Sequence, residues 1–128
     1  MTMDILAVLL ATVVGMGVGS LWYGPLLGEE WRKAAGVTRE QVAQSNFKLL
    51  MAATLLLELT MAIFFELAAR DDTVMHGVQL GCLAALFFAL AMAVHYLFEH
   101  RPMRLYLINV GHTSLVFILM GAICGFLR

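Results

Sequence analysis

The residues of this chain that could carry chemistry lie inside or at the ends of long apolar runs. Six are candidates for binding a proton or a ligand: Glu58, His95, Glu99, Arg101, Asn109 and His112. Ionisable residues inside a membrane are costly to keep and are therefore candidates for function. Glu58 follows Lys48 by ten residues, which places it about 15 Å along its helix, near the membrane midplane. At that depth we expect Glu58 to be neutral or paired, inside the bundle.

Two interpretations of Glu58 stay open. It is either a neutral, hydrogen-bonded strut between helices or a group that carries a proton, an ion or a ligand. His95, Asn109 and His112 are expected roughly 7 to 12 Å below one interface. The four residues are therefore predicted to converge on one site.

The histidine pair His95 and His112 allows a metal or bis-histidine haem site between antiparallel helices. The sequence contains no HExxH, CxxCH or repeated ExxH pattern, which favours neutral, hydrogen-bonded imidazoles and no cofactor. Glu99 and Arg101 are expected to form an interfacial ion pair. Glu66 and His76 are expected as interfacial partners at the outer ends of their helices. Cys82 and Cys124 are expected as buried thiols, with a disulfide between them as the alternative.

Four apolar segments must position these side chains. Helices are predicted over Ile5 to Leu21, Leu49 to Ala69, Val74 to Phe98 and Leu105 to Leu127, each long enough to span a bilayer. Gly24 and Pro25 should end the first helix, because proline disfavours helix in the residue before it. A short interfacial helix should then stop at Gly36, and Thr38 with Gln41 is a capping-box pattern.

Composition sets the class of the protein. The chain has 128 residues, of which 62% are hydrophobic and 13% charged, against about 25% charged in soluble domains. We predict a single all-α domain over residues 1–128, an integral membrane four-helix up-down bundle in which each helix neighbours the next. A net charge of −1 and the lack of a basic run argue against nucleic acid as a partner and leave the lipid bilayer.

Basic residues predict the orientation. Six lie in the connection between the first two spans and in the turn between the last two, namely Arg32, Lys33, Arg39, Lys48, Arg101 and Arg104. Arg70 and Arg128 are expected on the opposite side. The positive-inside rule then places both termini outside, here in a bacterial plasma membrane. The first basic residue is Arg32, so the N-terminal run lacks the basic start of a signal peptide and is interpreted as a retained helix.

Small residues predict where helices touch. Three GxxxG pairs occur, Gly15 with Gly19, Gly77 with Gly81, and Gly121 with Gly125. Such pairs let backbones approach closely in lipid. They predict packing within the bundle or a homo-oligomeric contact.

Two longer motifs carry a resemblance. The stretch LFE-x-RP-x-RL-x-LIN-x-G runs from Leu97 to Gly111, and WYGPLLGEEW runs from Trp22 to Trp31. Together they resemble the bacterial and fungal membrane family called domain of unknown function 1761, over nearly the whole chain. This sequence has Glu29 and Glu30 where the family usually has a lysine, and His112 where a tyrosine is common.

The resemblance implies a small polytopic membrane protein without a known activity. Its interface motif comprises Trp22, Tyr23, Pro25 and Trp31. Because both motifs are predicted at one membrane face, we expect Trp22 or Tyr23 to lie near residues 99–104. No nucleophile elbow or phosphate loop is found, so no catalytic residue is assigned. The sequence favours a binding or transport module built on the polar cluster, with a structural, self-assembling protein as the alternative.

Overall fold

The computed structural model describes residues 3–69 and 73–127. Its helices are α1 (Ile5–Leu21), a π-helical turn (Trp22–Leu26), α2 (Gly28–Ala35), α3 (Arg39–Gln44), α4 (Phe47–Ala68), α5 (Val74–Phe98) and α6 (Met103–Phe126). Within the described residues, four helices are long and apolar enough to cross a membrane: Ile5–Leu26, Phe47–Ala68, Val74–Phe98 and Met103–Phe126. The predicted all-α four-helix membrane bundle is confirmed. Arg70 and Arg128, used in the orientation argument, lie outside the described residues.

Short polar side chains begin the helices. Asp4 caps α1 by accepting from the Ala7 N–H at 3.2 Å, and Thr73 caps α5 by accepting from the His76 N–H at 3.1 Å. Asn46 does the same for α4, two residues before Lys48. These bonds satisfy N–H groups that the first helical turn leaves without a partner. They explain why α1 and α5 begin where the sequence predicted.

The connection between α1 and α4 also follows its local sequence. Thr38 and Gln41 form the reciprocal capping box at the start of α3, and Gly36 ends α2 with a φ of 74°, a left-handed conformation that glycine adopts readily. Pro25 has no N–H for the helical ladder, and Gly24 leaves helical geometry with φ −107° and ψ −107°. The chain therefore passes from α1 through a π-helical turn into α2.

The prediction that each membrane helix neighbours the next one in the sequence is wrong for α4 and α5. α1 packs against α4 and α6, and α5 packs mainly against α6, whereas α4 barely touches α5. α1, α4 and α6 thus pack as a group of three helices, and α5 joins this group through α6. A short connection between α4 and α5 brings only their ends together, and the packing of the rest is decided by which faces can approach closely.

The α5–α6 contact is made by two of the predicted glycine pairs. A Cβ on Gly77 would overlap the backbone of Gly121, and one on Gly81 would lie 2.5 Å from the Phe117 carbonyl oxygen. Gly125 lies similarly against Thr73 at the other end of the crossing. Only glycine permits backbones this close. Both pairs therefore pack inside the chain.

The apolar core lies in the half of the bundle near the termini. There α1, α4 and α6 bury a cluster comprising Val8, Ala11, Ala62, Phe65, Ala69, Val116, Met120 and Cys124. Glu66 is fully buried beside it, and its carboxylate accepts from the Asp4 N–H at 3.4 Å. Glu66 thus lies inside the bundle at the level of Asp4, where α1 begins, and its pairing with His76 stays a prediction. Cys82 also differs from the prediction, because it is exposed on α5 while Cys124 is buried.

Candidate functional site

A wedge-shaped cavity replaces the core in the other half of the bundle, towards the connections at residues 22–46 and 99–102. From residue 47 to residue 57, α4 has no buried residue, and its buried positions begin at Glu58. The side of α1 that faces this space carries Gly15 and Gly19. In the N-terminal half of α1 the buried residues are instead Ala7, Val8 and Ala11. The space left between them has a volume of about 520 Å³. Its lining is Gly15, Met16, Gly19, Ser20, Tyr23, Gly24, Phe47, Met51, Thr54, Glu58 and His112.

Glu58 lies at the apex of this wedge, where α4 meets α1. Its side chain is buried, with the residue only 4% exposed, and its Oε2 atom has no hydrogen-bond partner among the described residues. Oε2 rests against Gly15, and a Cβ at that position would overlap it. The missing side chain of Gly15 is therefore what gives the carboxyl group its place.

His112 supplies the second unpartnered polar atom of the cavity. It reaches the lining from α6, and its Nε2 atom has no hydrogen-bond partner within the described part of the chain. A Cβ on Gly19 would lie 3.3 Å from this nitrogen. Gly15 and Gly19, predicted as a helix-packing pair, thus face polar side chains, whereas the other two pairs face backbone.

A hydrogen-bonded chain holds the aromatic wall of the cavity. The Tyr23 hydroxyl donates to Asn109 Oδ1 at 2.7 Å, and Asn109 Nδ2 donates to the Tyr96 hydroxyl oxygen, also at 2.7 Å. The Tyr23 ring meets the edge of the His112 ring, with centroids 4.9 Å apart. Asn109 therefore fixes Tyr23, and Tyr23 in turn limits how His112 can move.

The same chain continues to the membrane face. The Arg101 guanidinium lies over the Tyr96 ring at 5.0 Å from its centroid, a cation–π contact. Tyr96 packs edge to face on Tyr106, whose hydroxyl donates to the Ala89 carbonyl at 2.7 Å. Arg101 also lies 4.0 Å from Glu99, consistent with the expected ion pair. Side chains thus connect the α5–α6 turn to the wall of the cavity.

The two sequence motifs meet on α6. The Trp22 indole N–H donates to the Ile108 carbonyl at 2.9 Å. The indole ring lies over Gly111, where a Cβ would be 3.1 Å from Cζ2. Trp22 and Tyr23 therefore pack on α6 a turn or more beyond residues 99–104, the stretch near which one of them is predicted. The contact to that stretch is made by Glu30, which forms an ion pair with Arg104.

Arginines of the connection are paired with carboxylates. Glu29 Oε2 accepts from Arg32 at 3.0 Å and from Arg39 at 3.3 Å. The hydrogen bond from Arg32, followed by that from Arg39, holds the pKa of Glu29 below its ordinary value. This network joins α2 to α3. Trp31 packs its ring against Tyr23, with centroids 5.7 Å apart, and so ties α2 to the cavity wall.

The structure brings together only part of the predicted cluster. Glu58 and His112 line one cavity, whereas Asn109 lies behind Tyr23 and bonds to it. His95 is exposed on α5 and does not reach the cavity. α4 packs on α1 and α6 and barely touches α5, so the predicted convergence of all four residues does not occur.

Tyr96 is the residue that sequence reasoning missed. Helical spacing alone predicts one stripe on α5 with a polar end, comprising Gly77, Gly81, Phe88, Met92, His95 and Glu99. The buried positions of α5 are instead Gly77, Gly81, Ala85 and Tyr96. Each four-residue step advances the stripe by about 40° around a helix. The glycine spacing was a signal for this drift, which carries the buried face past His95 to Tyr96.

Among the described residues, no group of three or more His, Cys, Asp or Glu side chains could hold a metal ion. The cavity itself offers one carboxyl and one imidazole group. This donor pair is fewer than the three protein ligands of an open zinc site.

Comparison with known proteins gives the family. A family model described as "Protein of unknown function (DUF1761)" matches residues 6–125. The chain belongs to this family. In this DUF1761 protein the matched region includes both sequence motifs and every residue that lines the cavity. No curated protein and no solved structure matches the chain.

Proposed function

We propose that this membrane protein binds a small amphipathic molecule in the cavity between α1, α4 and α6. The observation that supports it is the buried Glu58 carboxyl group, whose Oε2 has no hydrogen-bond partner in the described structure, at the apex of a cavity of about 520 Å³. Ligand sites have volumes of about 300 to 1,000 Å³ and are mostly apolar with a few polar groups. The cavity has this composition.

A purely structural role for Glu58 has less support. A strut between helices stabilises a bundle through a hydrogen bond, and an unsatisfied buried polar atom costs about 1–3 kcal/mol instead. Oε2 lacks such a bond, and Gly15 leaves the space that the carboxyl group occupies. A polar group kept under these conditions is better explained by a ligand or proton that it receives. Binding is the step that a carrier and a receptor share.

Assembly through the glycine faces is the alternative function. Gly77, Gly81 and Gly121 are already used in the crossing of α5 and α6. Gly15 and Gly19 face Glu58 and His112. The glycine pairs therefore lend little support to a subunit contact, and we favour binding.

The experiment uses three probes that share an alkyl chain and differ in head group: octanol, octanoate and octylammonium. Protein labelled with ¹³C at the methionine methyl groups is titrated in zwitterionic nanodiscs. Met16 and Met51 line the cavity, whereas Met75 and Met103 are exposed at opposite ends of the bundle. Binding predicts saturable shifts of the Met16 and Met51 signals for at least one probe, without comparable shifts of the other two.

A matched pair of variants locates the binding. Gly19→Leu directs a side chain at His112 inside the cavity, whereas Gly17→Leu points where no atom lies within 4 Å. Gly19→Leu should abolish the saturable shifts and Gly17→Leu should retain them. Unchanged Met75 and Met103 signals show that each variant is folded. The proposal is wrong if no probe gives saturable shifts, or if both variants behave alike.

A further inference from the structure

We infer that the ligand is a protonated amine with an apolar body, whose ammonium group takes Glu58 as its counter-ion. This inference rests on the proposed binding function and adds the chemical class of the ligand. It follows from the charges that surround the cavity, from its apolar lining and from the place where it opens.

The charged residues around the cavity favour a cationic ligand. Glu58 is the only acidic residue of the lining, and no Lys or Arg lines the cavity within the described structure. Three arginines outside the lining are paired with other carboxylates: Arg32 and Arg39 with Glu29, and Arg104 with Glu30. Arg101 contacts Glu99 and the Tyr96 ring. No lysine or arginine among the described lining residues is therefore in position to neutralise a Glu58 carboxylate.

A carboxylate in this place needs a cation or a proton. An isolated charge in an apolar medium is strongly disfavoured, while a charge that is paired and hydrogen-bonded is tolerated. The three donors of an ammonium group can bond to the carboxyl oxygens. His112 also lines the cavity, and its covered Nε2 atom has no hydrogen-bond partner within the described residues. A cationic head group thus fits this end of the wedge better than an anionic one.

The rest of the lining suits an apolar body. Met16, Met51 and Phe47 contribute flexible or aromatic surface, and each buried methylene of a ligand contributes about 0.8 kcal/mol. The Tyr23 and Phe47 rings also lie in the lining, and aromatic faces attract organic cations. An inorganic cation would leave this surface unused.

The opening of the wedge lies at the membrane surface of the bundle. Ser20, Gly24 and Phe47 are lining residues that are exposed. In a membrane-spanning bundle such residues face lipid or the headgroup region. An amphipathic amine, which concentrates in the bilayer, can therefore enter between α1 and α4 without crossing the protein.

The probes of the titration above test the ligand class directly. In wild-type protein at neutral pH, octylammonium should bind more tightly than octanol by about tenfold or more, which corresponds to a hydrogen bond to a charged group. Octanoate should bind most weakly. This comparison needs no substitution, so it holds even if a variant fails to fold.

Two variants assign the preference to its residue. Glu58→Gln keeps size and hydrogen bonding and should reduce the preference for octylammonium over octanol to less than about threefold, while octanol affinity changes little. Glu40→Gln, the same change at an exposed carboxylate outside the cavity lining, is the matched control and should keep the preference. Empty nanodiscs give the partitioning background for each probe.

The outcomes separate the two proposals. If the probes bind and Gly19→Leu removes them, but the head group and Glu58→Gln have no effect, the cavity is a binding site and the amine inference is wrong. If octanoate binds best and His112→Gln removes it, the inference is overturned in favour of an imidazolium site for anions. If nothing binds saturably, the proposed function itself fails.

Discussion

Replacing Gly81 with alanine should force α5 and α6 apart. A Cβ at this position would lie 2.5 Å from the Phe117 carbonyl oxygen and 2.7 Å from the Ile118 Cα. The first distance is 0.9 Å short of the 3.4 Å at which ordinary contact begins, and both neighbours are helix backbone that cannot rotate away. Overpacking of this kind costs about 1–3 kcal/mol.

The control is Gly17→Ala. Gly17 is an exposed glycine of α1, and a Cβ added there meets nothing within 4 Å. Both substitutions gain the same intrinsic helix propensity, about 0.5–1 kcal/mol. The difference in free energy of unfolding between the two variants therefore isolates the overpacking, and we expect Gly81→Ala to be less stable than Gly17→Ala by about 1–3 kcal/mol.

Unfolding by sodium dodecyl sulfate in mixed micelles, followed by far-ultraviolet circular dichroism, measures this difference. Mass measurement of the same samples reports whether a subunit contact is lost instead. Equal stability of the two variants would show that α5 and α6 are not packed at Gly81. A loss of oligomeric mass without a loss of stability would move the contact from the chain to a subunit interface.

Three further predictions concern the connections and the cavity wall. Tyr23→Phe removes the hydrogen bond to Asn109 and should lower the free energy of unfolding by about 0.5–1.5 kcal/mol, measured by the same unfolding assay; no change would mean that this bond is not formed. The pKa of Glu29 is lower in the folded protein than its ordinary value of 4.5. The hydrogen bonds from Arg32 and Arg39 therefore stabilise the fold above pH 4.5, and this stabilisation is lost as the pH falls through the lower pKa of the folded protein. Protection factors of the α3 amides, which are corrected for the intrinsic pH dependence of exchange, should therefore fall on acidification, and Glu29→Gln should show the low protection already at neutral pH. A cysteine introduced at the exposed Glu40 should react with membrane-impermeant maleimide only from the cytoplasmic side, because six basic residues lie near the connections; labelling from outside would reverse the orientation.

The sequence alone determined the helices and the class of the protein. Apolar runs, the Asp4, Thr38 and Thr73 caps and the Gly24–Pro25 break are local signals, and they set the boundaries of helices that must satisfy their own backbone in lipid. For that reason α1 and α5 begin and end at the predicted residues. The two motifs likewise identified the family.

Only the tertiary structure decided which residues share a site. The spacing of residues predicts which of them share one face of a helix, but not which helix packs against that face. Hydrophobicity does not decide it either, because lipid-facing and buried surfaces are equally apolar here. Gly77 and Gly81 pack against the backbone of α6, so α5 lies beside α6 and barely touches α4. His95 therefore lies outside the cavity. Gly15 and Gly19 carry the same motif, yet they face Glu58 and His112. A GxxxG pair therefore closes a helix contact where it meets backbone and leaves room for a cavity where it meets side chains. Which of the two it meets is decided only when the helices pack.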